Sequence, residues 1–222
     1  MGEEYRRDDY GTISAPIKNR SILDEKFEDL FLWTMAGTGA DPTLEKYGSK
    51  AYEGSYSMRM QTRSTAPQIS DYVQASKQVH LMERNILSLS SIFWFSSHAE
   101  LDTIAFRMLN DGHLIGPDFG IRYSTLFNRI QVLNYAGGWS DSALTLTGLA
   151  EQTWHKIKVS ANINTGYYTT IEVNSIQEDI STRPIRDLGG GGLDTSEARI
   201  TLKNRLAAQT TSYIDNVIIE NI

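Results

Sequence analysis

The chain has no cysteine among its 222 residues. That excludes a disulfide scaffold, a thiol nucleophile and any zinc or iron–sulfur site built on thiolates. Prolines number only 5, and the 17 glycines follow no period, so collagen-like and proline-rich repeats are excluded too. Long hydrophobic runs are missing. The densest stretch, Ile86 to Phe95, is broken by serines and falls short of the ~20 apolar residues of a membrane helix. A secretory leader needs an early apolar stretch, whereas Met-Gly-Glu-Glu-Tyr-Arg-Arg-Asp-Asp opens the chain with charge. Synthesis in a cytoplasm without the classical export route, and no membrane insertion, are therefore expected. A basic surplus is lacking as well: 21 Lys and Arg against 27 Asp and Glu leave a net charge of −6. Phosphate-driven nucleic-acid binding is not expected from such a balance. His80, His98, His113 and His155 are too scattered to form a local metal motif.

What is present is a composition that can bury a core: 40% hydrophobic, 10% aromatic and 22% charged. From Ile22 onward, short alternating runs are separated by Gly, Asn, Asp and Ser clusters, the punctuation of a β-protein. Strands are predicted near 22–28, 55–61, 72–81, 87–96, 103–109, 120–124, 129–135, 155–162, 169–174, 198–204 and 212–220. In one of these Ile104, Phe106 and Met108 share a face opposite Arg107; in another Ile130 and Val132 oppose Arg129 and Gln131. Ile157 and Val159 likewise turn inward while Lys156 and Lys158 meet water. One buried face per strand is the mark of antiparallel sheets. The expected fold is all-β, a two-sheet antiparallel jelly-roll sandwich over residues 22–222, preceded by an extended N-terminal arm, residues 1–21. A single helical turn is expected near Asp194–Arg199, and Gly189–Gly192 is read as a surface loop without phosphate-loop context.

Several segments, in order, carry a resemblance: Phe27-Glu28-Asp29, Trp33, Gly48-Ser-Lys-Ala-Tyr-Glu-Gly-Ser-Tyr-Ser-Met58, Thr153-Trp-His-Lys-Ile-Lys-Val159, Asn164-Thr-Gly-Tyr-Tyr168, Ile171-Glu-Val-Asn174 and Tyr213-Ile-Asp-Asn-Val-Ile-Ile219. Together the chain resembles the jelly-roll carbohydrate-binding modules and the concanavalin-A-like, laminin-G-like lectin sandwiches. This sandwich hosts lectins, enzymes and structural proteins alike, so the resemblance implies a fold more than a function. The glucanases of this fold place a carboxylate run on one strand. Here Glu100-Leu-Asp102 lacks its final acid, so the paired-carboxylate chemistry of glycoside hydrolysis is incomplete and no catalysis is expected.

The resemblance further implies a structural calcium between opening and closing strands, with Glu28, Asp29 and Asp215 at the matching positions. Asp215 also stands out physically, since a carboxylate in an otherwise apolar strand needs a metal, an arginine or backbone amides. For glycan binding the fold uses aromatic platforms with polar side chains beside them. Candidates are Tyr135, Trp139 and Asp141 around the Gly137-Gly138 turn, with Arg107, Arg122 and Gln131 on neighbouring strands. Trp139 could instead simply cover the end of the sandwich; Trp33, Trp94 and Trp154 are expected in the core. The functional expectation is a non-catalytic structural or binding sandwich. It would be a subunit of a larger particle, such as a phage virion's decoration or tail component, assembled as a homo-oligomer or with other subunits through its arm. The alternative is a carbohydrate-binding module or a lectin-like domain attached to a glycoside hydrolase or lyase.

Overall fold

The computed structural model describes residues 20–29, 31–39, 41–79, 86–110, 116–144, 148–188 and 196–222. Its strands are β1 (Arg20–Glu25), β2 (Thr34–Gly37), β3 (Thr43–Tyr47), β4 (Ser57–Gln61), β5 (Tyr72–Val79), β6 (Ile86–Phe95), β7 (Leu101–Asn110), β8 (Pro117–Ser124), β9 (Arg129–Leu133), β10 (Trp139–Asp141), β11 (His155–Asn162), β12 (Tyr167–Val173), β13 (Ile176–Asp179), β14 (Arg186–Asp187), β15 (Ser196–Asn204) and β16 (Thr211–Asn221). They make two antiparallel sheets of 8 strands each. The first runs β13-β12-β11-β6-β16-β4-β3, with β1 also on β16; the second runs β10-β9-β8-β7-β15-β5-β2, with β14 on β8.

Period-2 patterning explains the packing. Along β15 every second residue is buried, and Ala198, Ile200 and Leu202 enter the core. Phe93 of β6 meets Phe106 of β7 at 5.5 Å between ring centroids, joining the two sheets at their middle. The hydroxyl of Tyr168, on β12, crosses the core and donates to the Leu133 carbonyl at 2.8 Å; it also accepts from the Gly120 amide at 3.2 Å. A side chain of the first sheet thereby pins β8 against β9 in the second.

Three expectations are corrected. No helix occurs among the described residues, and Ser196–Arg199 belong to β15, whose outward residues are polar enough to read as a turn. Trp33 is core at 7% exposure, but Trp94 and Trp154 are only half-buried, outside the core cluster. Trp94 lies under the Lys50 ammonium, 3.3 Å from its ring, and edge-on to Tyr213; Trp154 packs edge-on against Tyr52. The consecutive aromatics of β6 do face both sides, and the outer one is covered by the chain itself. Residues 1–19 and Gly189–Gly192 lie outside the described residues, as do His80 and His113. Arg20 and Ser21, assigned to the arm from sequence, pair with Asn221 and Glu220 and so belong to the sandwich.

Candidate functional site

Three of the polar candidates come together on the outer face of the second sheet because strand register puts them there. One cross-strand row reads Gln74, Thr201, Ala105, Arg122, Gln131 and Asp141. The next contains Ser76, Arg199, Arg107 and Gly120. The small Thr201 and Ala105 thus occupy the middle of the first row, whereas in the second Arg199 and Arg107 stand between Ser76 and Gly120. Gly120 is required there, since a Cβ would lie 2.7 Å from the Phe106 carbonyl oxygen.

A hydrogen-bond chain crosses the edge strands. Arg122 Nε donates to Gln131 Oε1 at 2.7 Å, Gln131 Nε2 donates to Asp141 Oδ1 at 2.8 Å, and Arg129 closes on Asp141 Oδ2. The Gln131 amide and the Arg129 guanidinium hold the Asp141 carboxyl below its usual range. Burial pushes Arg122 downward, and Asp102 and Asp141 pull it back. The Arg122 guanidinium lies 4.7 Å over the Trp139 ring. Trp139 is accordingly half-buried, while Tyr135, at the turn, is 64% exposed. Trp139 therefore fits neither extreme: one side is roofed by Arg122, and the ring is no core residue.

The turn between β9 and β10 is built by Asn134, whose amide N–H donates to the Gly138 carbonyl and whose Oδ1 accepts from the Gly138 amide. Gly137 has φ 86°, and a Cβ there would strike the Arg186 guanidinium at 2.9 Å. Beside the turn is a cleft of about 580 Å³ whose polar lining is Asn134, Tyr135, Ser140, Asp141 and Arg183. Arg183 donates to the Asp141 backbone carbonyl at 2.8 Å, which closes its far wall.

Arg107 does not reach this chain. It forks onto Asp118, which is fully buried and also paired with Arg186 at 3.5 Å. Asp118 and Arg186 were not singled out from sequence. The signal was available: Asp118, Gly120 and Arg122 alternate along Pro117–Ser124, but the strand was read as starting at Gly120.

Glu100 and Asp102 form no catalytic pair. Glu100 accepts from the Ser96 hydroxyl at 3.2 Å within a turn, and Asp102 pairs with Lys203 at 3.3 Å.

The calcium candidates surround residues 50–56, and at least one oxygen of each is already engaged within the chain. Asp215, fully buried, accepts from the amides of Tyr52 (2.8 Å), Glu53 (3.1 Å) and Asn216 (2.8 Å). Burial still pushes its carboxyl up. Glu28 Oε1 accepts from the Ser55 and Tyr56 amides at 2.7 and 3.0 Å. Gly54 permits this approach, because a Cβ would lie 2.3 Å from that oxygen. The carbonyls of Glu28 and Asp29 accept from the Lys46 ammonium at 2.6 and 3.0 Å, with the Tyr56 ring 4.0 Å away. Calcium needs about six to eight oxygens. No group of three acidic or histidine ligands exists among the described residues, and a lysine occupies the carbonyl oxygens, so the donor set does not fit that ion.

No family model matches the chain, and no curated protein does. Solved structures do. A cellulose-induced protein superposes with a TM-score of 0.56 at 10% identity, over 89% of this chain and 96% of that one. An alginate lyase in complex with an alginate trisaccharide gives 0.55 at 12% identity, over 92% and 98%. An endo-β-1,4-glucuronan lyase from the fungus Trichoderma reesei gives 0.54 at 12%, over 82% and 88%. At such identities the likeness establishes a shared β-sandwich fold.

Proposed function

We propose that this chain is a non-catalytic glycan-binding sandwich that uses the outer face of its second sheet. The observation that carries the reading is the Arg122–Gln131–Asp141 hydrogen-bond chain, set beside Trp139 and the exposed ring of Tyr135. Sugar sites need a ring to stack on and fixed polar groups to orient hydroxyls; here the polar groups and Trp139 stand on strands, and Tyr135 on the turn between two of them. The sugar-active proteins among the structural matches support the reading. Acid–base chemistry finds little support: Asp102, Asp118, Asp141 and Glu197 on this face are all ion-paired.

A glycan array probed with the wild type and with Tyr135→Ala tests the reading. Binding by the wild type and its loss in the variant, at unchanged melting temperature, is the expected result. A wild type that binds no glycan overturns it. Assembly into a particle through the N-terminal arm is a separate part of the proposal. Deleting residues 1–19 should then lower the sedimentation coefficient of the assembled protein, and unchanged sedimentation removes that part.

A further inference from the structure

We infer that the ligand of this face is an acidic glycan, and that Arg122 grips one of its carboxylates. The inference rests on the glycan-binding reading and adds a substrate class to it. It starts from charge. The outer rows of the second sheet hold Arg107, Arg122, Arg129, Arg186, Arg199 and Lys203 against Asp102, Asp118, Asp141 and Glu197, six cations to four carboxylates. A surplus of two positive charges on one face of a chain whose net charge is −6 is a local inversion of sign.

The surplus has a definite place. Arg199 is matched by Glu197 and Lys203 by Asp102. Asp118 answers two guanidiniums, and Asp141 takes Arg129. Arg122 has no carboxylate within salt-bridge distance among the described residues. Its Nε is spent on the neutral amide of Gln131, and its flat face rests on Trp139. The two terminal nitrogens of that guanidinium, which form the planar fork matching a carboxylate, have no acceptor among the described residues. The group is thereby preorganised, since Gln131 and Trp139 fix its plane before any ligand arrives. Next to it stand the small Ala105, its cross-strand partner, and Gly120, two residues along its own strand. A neutral sugar would leave the two terminal nitrogens of the fork without a charged acceptor, whereas a uronate supplies one.

The test titrates the full chain with oligomers of galacturonate, of glucuronate and of mixed mannuronate and guluronate. Each is compared with its carboxyl-reduced, neutral counterpart, and with neutral cello- and galacto-oligosaccharides. At least one uronate series should bind, its reduced counterpart about ten- to a hundred-fold more weakly, as expected for loss of charge-assisted hydrogen bonds. Affinity should fall as salt rises. Arg122→Met should bring the uronate down to the level of its neutral counterpart, with melting temperature as the folding control. Arg122→Lys, which keeps the charge without the fork, should bind several-fold more weakly than wild type. Equal binding of acid and neutral forms, or neutral glycans alone binding, overturns the inference and leaves the glycan-binding reading standing. Binding of none of the probes overturns both, and Arg122→Lys binding as tightly as wild type overturns the role given to the fork.

Discussion

Trp139 shows how a single residue can divide its work between fold and surface. Truncating a core tryptophan costs about 3–5 kcal/mol. Trp139 is half-buried and roofed by a guanidinium, so Trp139→Ala should cost well under that, about 1–2 kcal/mol in urea unfolding, while abolishing glycan binding. Asp141 gives a pH signature. Its folded carboxyl titrates below the unfolded value of 3.8, held there by Gln131 and Arg129. The stability it contributes is complete above that value and drains as pH falls through the lower, folded one. Asp141→Asn should therefore flatten the acid limb of a stability-against-pH curve below about pH 4. Residues such as Arg122 and Gln131 were legible from sequence because alternation alone assigns their face. Asp118 was missed because the strand was started at Gly120, two residues too late, whereas its tie to Arg186, 68 positions away, leaves no local pattern.

At the level of elements, the long strands and the short but patterned β4 and β9 were readable, while short strands without a hydrophobic pattern were not. Strands β11 and β15 alternate over eight or more residues and bury one face completely, so period and propensity agree. Strand β2, Thr34-Met-Ala-Gly37, is exposed at all four positions, and Ile176–Asp179 is a charged edge; neither has a hydrophobic pattern to read. What holds the short pieces is specific bonding. Tyr168→Phe removes the hydroxyl that serves Leu133 and Gly120, and should cost about 1–3 kcal/mol by leaving buried backbone groups unpaired. The segment at 48–56 is tied down through Glu28, Asp215 and Lys46. Because an ammonium already engages the carbonyls of Glu28 and Asp29, chelator should leave the melting temperature of the wild type unmoved. Lys46→Met should lower it, in calcium and chelator alike. A chelator-sensitive wild type would restore the calcium expectation.

For the molecule as a whole, strand β16 is the feature with the widest reach. One side of it pairs with β6 along most of its length; the other takes β4 at its beginning and β1 at its end. Arg20 pairs with Asn221 there, so the first described strand and the last are joined across the full span of the sandwich. During synthesis, β1, β4 and β6 therefore wait without their common neighbour until Thr211–Asn221 has cleared the ribosome. The second sheet can zip before that; the first cannot. Non-local closure of this kind makes for slow folding and leaves apolar strand edges open in the nascent chain, where chaperones bind.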